Sequence, residues 1–402
     1  MIKDYKVTSV SKFPALIIVL VDFKFKNFDY ERFEIDYLKK YSEVVILDLS
    51  RLSSKSYFQS ISTVEYVGNN IRPVLSYRQL VKEFIFLKDS KYKFNTVIMN
   101  FIKPTSFVSL FFLIIIKILT MQSVSYFNSG FPNISSFNNK ITIKYLLKGM
   151  KRRFFYLVAG ILRLGPTHYL YAGVYWRHIC GPKASKSKSA LLSGHTWDYS
   201  NYLSTRRNTN KNELSPHKLA VVLDGAGPMF NSDDINIGKE TFMTNEIWYP
   251  SLVNFLGNIE NISGVNIIIA GHPKSLHKKN PDYFGHRSVF YGKTLEIINE
   301  SDFVITRGST AISYAVILKK PIIFIYSDEL VKDKLYMASV TKMAELIGTK
   351  PVNINDENLH LNDLLVINKE NYKSYIDNFL TSGDGERTNA QILLEDVLYI
   401  ET

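Results

Sequence analysis

The sequence predicts an α/β protein built from two Rossmann-like, doubly wound domains that face a cleft. Three observations predict it. At 402 residues the chain exceeds one ordinary domain and suits two. Short apolar runs of strand character alternate with helical patterns, the signature of parallel sheets covered on both faces. The alternation breaks once, at STRRNTNKNELSPH (204–217), which has no apolar periodicity.

The first series of strands reads PALIIVLVDF, EVVILDLS, NTVIMNF, SVSYF, HYLYAGVYW and SALLSG, with helices filling most gaps. This sets an N-terminal domain over 1–203 and a linker over 204–217. A C-terminal domain follows over 218–384. Its strands are KLAVVLD, VNIIIA, HRSVFYG, DFVIT and PIIFIY, and its longest helical pattern is EIWYPSLVNFLGNIENI. A last helix, 385–402, is expected to pack back on the N-terminal domain.

Composition narrows the class. With 46% hydrophobic residues the chain buries sizeable cores, and disorder is excluded as the default. A single cysteine, Cys180, rules out an intrachain disulfide and fits a reducing compartment. The opening run lacks a small-residue cleavage site and reads as a first core strand, so a cytoplasmic location is expected. The longest apolar segment, FVSLFFLIIIKIL (107–119), is shorter than the roughly 18–20 residues a spanning helix needs and reads as a buried helix. The net charge of +12 is uneven. No acidic residue occurs between Asp89 and Asp198, where 15 lysines and arginines lie, whereas the chain from 217 onward is net acidic. Either this is a solvated basic face, or the basic 140–190 region, above all KYLLKGMKRRFFYLVAGILRL (144–164), meets an anionic membrane surface or acidic glycan. No motif accompanies the charge to suggest nucleic acid.

In doubly wound sheets, ligands bind beyond the carboxyl ends of the strands. Four such ends in the second half carry glycine: Asp224-Gly225, Gly271-His272-Pro273-Lys274, Gly292-Lys293-Thr294 and Arg307-Gly308-Ser309-Thr310. A helix starting at Arg307-Gly308-Ser309-Thr310 would offer amides, hydroxyls and a guanidinium to an anion, although Ser309 equally suits a simple cap. Pro273 restricts His272 to extended geometry and fixes where the imidazole points. Gly292-Lys293-Thr294 lacks the upstream glycine of a P-loop, and Gly225-Ala226-Gly227 lacks the third glycine of a dinucleotide fingerprint. Asp224 ends an apolar strand and is the first candidate for catalytic carboxylate, with Asp233 and Asp234 behind it. His195 and Asp198, in GHTWDY, are candidates for the acceptor side. No His or Cys cluster has metal-ligand spacing, so neither metal nor cofactor is expected.

The succession His272-Pro273, then GKTLEIINESDFVITRGSTAISYAVILKKPIIFIY, resembles the donor half of bacterial GT-B glycosyltransferases, over roughly 217–330. Within them it is most similar to transferases that use CMP-activated nonulosonic acids (sialic acid, Kdo) in capsule, O-antigen or lipopolysaccharide synthesis. The resemblance implies that His272-Pro273 and Ser309-Thr310 hold the CMP phosphate, and that a carboxylate near glycine, here Asp224, does the chemistry. The pattern of two acids before glycine is not met, because Leu223 precedes Asp224. It also implies that 218–384 binds the nucleotide sugar and 1–203 the acceptor, a glycan or lipid-linked glycan at the inner face of the cytoplasmic membrane. Two alternatives share the architecture: a transferase using a UDP-sugar, and an isomerase of the UDP-N-acetylglucosamine 2-epimerase kind.

Overall fold

The structure is a computed structural model. It describes residues 15–53, 67–88, 95–119, 121–131, 143–208, 218–225, 227–228, 242–272, 281–356, 359–383 and 385–402. These form two compact units. The first comprises the described residues within Met1–Ser129, Asn139–Leu203 and Thr381–Thr402, and the second those within Gly130–Asn138 and Ser204–Leu380.

The first unit holds a seven-stranded sheet: β1 (Ala15–Val21), β2 (Ser42–Asp48), β3 (Ile71–Pro73), β4 (Thr96–Asn100), β5 (Gln122–Phe127), β6 (His168–Ala172) and β7 (Ala190–Gly194). Its order is β3-β2-β1-β4-β5-β6-β7, all pairs parallel. Every side chain of β1 is buried, because helices cover both faces of a parallel sheet. On one face Leu16, Ile18 and Leu20 pack with Phe112 and Ile116 of helix Phe107–Ile118. On the other, Ile17, Val19 and Val21 pack with Ile392, Leu393, Leu394 and Val397 of the C-terminal segment.

The second unit holds β8 (Leu219–Leu223), β9 (Asn266–Ala270), β10 (Val289–Phe290), β11 (Phe303–Thr306), β12 (Ile322–Tyr326) and β13 (Val352–Asn353). All are parallel, in the order β10-β9-β8-β11-β12-β13. Strand succession reverses between β8 and β11, which is where a doubly wound sheet opens its ligand crevice. Helix Asn245–Ser263 covers one face with Trp248, Leu252, Phe255, Leu256 and Ile259.

Three sequence expectations are corrected. The strand expected over HYLYAGVYW ends at Ala172, because Gly173 takes φ +74° and starts helix Gly173–Ser187. Trp176 therefore lies on a helix, where its indole N–H donates to the Ser129 carbonyl at 2.6 Å. The expected linker opens inside helix Trp197–Asn208, so 204–208 are helical, and the remainder, 209–217, lies outside the described residues. The edge strands β3 and β13 escape prediction, being three and two residues long.

Candidate functional site

Parallel register sets the second unit's strand ends level. Thr306 pairs with Leu223, Leu223 with Ala270, and Ala270 with Phe290. The next residues, Arg307, Asp224, Gly271 and Tyr291, thus line one edge at strand spacing.

Asp224 is buried, and it stitches two strand ends together. Its N–H donates to the Ala270 carbonyl at 3.1 Å, and its Oδ2 accepts the His272 N–H at 3.2 Å. Arg307 lies across the loop after β8: Nη2 stands 3.5 Å from the Gly225 carbonyl oxygen and Nη1 3.0 Å from Met243 Sδ. Its guanidinium sits 5.3 Å from the Trp248 ring and 5.9 Å from the Tyr336 ring, an aromatic cradle for a permanent cation. A Cβ on Gly225 or Gly227 would come within 3.1 or 2.9 Å of Arg307 Nη2. Gly271 is constrained likewise, since a Cβ there would meet the Tyr291 ring at 2.6 Å.

Three aromatic residues complete the edge. Tyr336 donates its hydroxyl to the carbonyls of Arg307, at 3.0 Å, and Ile325, at 2.7 Å, which holds the turn after β11 in place. Tyr249 stacks on Tyr283 with centroids 4.4 Å apart. Burial pushes the Tyr249 phenol far above its usual range; the Asp224 charge adds to the rise and Arg307 opposes it. All three groups therefore share one electrostatic environment.

The turn after β11 differs from expectation. Helix Ile312–Ile317 starts after Ala311, so Arg307-Gly308-Ser309-Thr310 precedes it. The Gly308 and Ser309 amides both donate to the buried Thr306 hydroxyl at 3.1 Å, while Ser309 Oγ accepts the Ala311 N–H at 3.2 Å. These expected phosphate ligands are engaged within the turn, and Thr310 is exposed. Gly308 takes φ +119°, where only glycine is at ease.

The structure brings Arg307, Asp224 and His272 together on adjacent strand ends. His272 and Ser309 are not adjacent: β8 lies between β9 and β11, so their chain ends stand roughly 10 Å apart at ordinary strand spacing. Lys293 is exposed at the sheet edge, and Thr294 opens helix Thr294–Glu300. Asp233, Asp234, Pro273 and Lys274 lie outside the described residues.

The acceptor-side assignment of His195 is corrected. His195 is fully buried in the first unit, its Nδ1 2.7 Å from Thr381 Oγ1 and its Nε2 2.8 Å from the Arg387 carbonyl. The imidazole fastens the C-terminal segment to β7. Asp198 sits half-buried in the first turn of helix Trp197–Asn208, where a carboxylate favours the helix dipole.

Sequence reasoning missed Thr306, Trp248, Tyr249 and Tyr336. A hydroxyl closing the strand DFVIT and a Trp-Tyr pair opening an amphipathic helix are the only signals they leave. A surface depression of the second unit, about 690 Å³, is lined by Gly348, Lys350, Asn368 and neighbours. It opens beside the residues entering β13, at the amino ends of the strands, and holds none of this chemistry. Among the described residues no group of three or more His, Cys, Asp or Glu side chains is placed to hold a metal ion.

No family model matches the chain, and no curated protein matches it. Solved structures do. The UDP-GlcNAc 2-epimerase from Methanocaldococcus jannaschii aligns with a TM-score of 0.49 at 12% identity, over 96% of this chain and 99% of that one. A variant of the wall teichoic acid polymerase TagF aligns with a TM-score of 0.52 at 14% identity, over 96% of this chain and 88% of that one. The likeness to TagF concerns the fold, a pair of Rossmann-like α/β domains of the GT-B class.

Proposed function

We propose that the protein is a glycosyltransferase that moves a sugar from a nucleotide donor to a surface glycan, with the donor phosphates at the carboxyl edge of β8, β9 and β11. One observation carries this reading: the Arg307 guanidinium, caged by Trp248 and Tyr336, lies on the Gly225–Gly227 loop beside Asp224 at the switch point of the sheet. Arginine keeps its charge at every working pH and matches phosphate oxygens in a fork. A fixed cation there stabilises the charge that grows on the departing nucleotide, where electrostatic help lowers a barrier most. In the transfer step the acceptor hydroxyl oxygen bonds to the anomeric carbon while the bond from that carbon to the phosphate oxygen breaks. The nucleotide leaves with the electron pair, and the hydroxyl proton passes to the Asp224 carboxylate. The similarity in fold to a teichoic acid polymerase supports an acceptor that is a cell-surface polymer or its lipid-linked precursor.

For the donor we favour a UDP-sugar. The Gly308 and Ser309 amides are engaged by Thr306, and His272 lies two strands from Ser309, an arrangement that suits the longer reach of a diphosphate. A CMP-nonulosonic acid is the second reading, supported by the His272-Pro273 and Ser309-Thr310 pattern.

Titration calorimetry with UDP and CMP decides between them. The expected result is tighter binding of UDP, weakened at least tenfold by Arg307→Ala. Tighter CMP binding reverses the donor assignment, and an unchanged affinity in Arg307→Ala removes the site. Asp224→Asn keeps an acceptor for the His272 N–H, so the loop stays in place while turnover falls by about 10²–10⁴. Undiminished turnover would pass the role to Asp233 or Asp234. Isomerised nucleotide sugar formed without any acceptor would identify an epimerase instead.

A further inference from the structure

Helix Ile143–Ile161 carries two apolar faces where a surface helix ordinarily carries one. Phe155 and Ala159 are buried in the first core. Met150, Phe154, Leu157 and Ile161 are instead 63, 52, 60 and 71% exposed. At 100° per residue these four fall in a stripe roughly 60° wide, on the side of the helix opposite the buried pair. Exposed Lys151 and Arg153 flank the stripe on its two sides. No carboxylate interrupts the surrounding sequence from Lys91 to Trp197.

We propose that this face docks on an anionic lipid bilayer, the four apolar side chains entering the headgroup boundary and the flanking cations meeting lipid phosphates. Two features favour lipid over a protein partner. A large exposed apolar stripe edged by basic residues is the pattern of helices lying in a membrane interface. Charge complementarity is also one-sided: the face offers cations alone, which fits a surface of uniform negative charge. Among the described residues no helix is long and apolar enough to cross a membrane, so the contact is with the surface. The inference is independent of which nucleotide the second unit binds.

Sedimentation of the full chain with vesicles tests it. The parent should pellet with equimolar phosphatidylglycerol and phosphatidylcholine, remain in the supernatant with phosphatidylcholine alone, and release as salt rises. Lys151→Gln and Arg153→Gln should each weaken binding about fivefold. A variant with serine at 150, 154, 157 and 161 should lose at least a hundredfold while still unfolding cooperatively, since these side chains are more than half exposed. A single Phe154→Trp probe should shift its emission to the blue on anionic vesicles. The proposal is overturned if the parent ignores anionic vesicles at low salt, or if the serine variant binds as the parent does. It is overturned equally if light scattering finds a dimer that the serine variant dissociates, because a second copy then covers the face.

Discussion

Thr306 holds the candidate site's geometry without facing a ligand, and Thr306→Val isolates that role. Valine reproduces the shape of threonine at this buried end of β11, so packing against β8 and β12 is conserved and only the hydroxyl is lost. That hydroxyl accepts the Gly308 and Ser309 amides, both at 3.1 Å. A net hydrogen bond contributes about 1 kcal/mol, and because Gly308 is exposed and Ser309 half-buried, water replaces part of the loss. The expected cost is therefore about 1 kcal/mol, a fall in melting temperature of about 2–4 °C for a unit of this size. In urea the midpoint should drop with an unchanged slope. Freed of its anchor, the Arg307–Thr310 turn must be ordered on binding, so nucleotide affinity by calorimetry should fall about tenfold. Thr306→Ser keeps the hydroxyl and should bind nucleotide within about twofold of the parent. If valine matched the parent in both stability and affinity, the turn would not depend on Thr306. If serine were impaired while valine matched the parent, the methyl group rather than the hydroxyl would be responsible.

Other perturbations separate stability from chemistry. Removing the imidazole in His195→Ala leaves the Thr381 hydroxyl and the Arg387 carbonyl without it, plus a cavity; urea melts should show a loss of about 3 kcal/mol, with the Michaelis constant for acceptor unchanged. Asp29 is buried, and loss of hydration raises its carboxyl from 3.8 to about 6. A raised acid stabilises the fold fully below its unfolded value and loses that contribution as pH climbs through its folded one. The parent should therefore lose up to about 3 kcal/mol between pH 4 and 6, and Asp29→Asn should flatten that slope in denaturant titrations. Gly308→Ala meets no neighbour closer than Met343 Sδ at 3.6 Å, so its cost of about 1–2 kcal/mol by thermal melt is backbone strain alone.

The sheets were legible because their strands are buried on both faces and read as continuous apolar runs, ALIIVLV and IIFIY among them. Strand β6 was overextended because GVYW has strand-forming composition, and only the left-handed Gly173 turns the chain there. At the candidate site, the placement of Asp224, His272 and Arg307 just beyond strand ends was legible from strand position alone. Thr306, Tyr249 and Tyr336 were not, since each acts through a contact that strand periodicity does not encode. His195 shows the converse error. A histidine after a strand looks the same in sequence whether it faces a ligand or a carbonyl 192 positions away at Arg387.

The carboxyl edges of the two sheets are differently furnished, and that difference bears on where the proposed nucleotide donor would bind. At the first sheet, Phe33 stacks on Phe101 at 4.5 Å, Phe101 on Tyr126 at 5.2 Å, and Trp197 leans on Tyr126 at 4.9 Å. Burial drives the Tyr126 phenol far up, with the Glu34 charge adding to the rise, so this ring stays neutral. Glu34 itself accepts the Ser200 hydroxyl, and Ser200 Oγ in turn accepts the Asn389 N–H at 2.7 Å. That carboxylate is thus committed to fixing the C-terminal segment. At the second sheet the corresponding edge carries a caged guanidinium, a buried aspartate and glycine turns that let backbone come close. Lysines also follow strands of the first sheet, Lys24 and Lys26 after β1 and Lys103 after β4, so a cation alone does not distinguish the two edges. What the second edge adds is a guanidinium set between two rings beside glycine turns, and the proposed phosphate site rests on that combination.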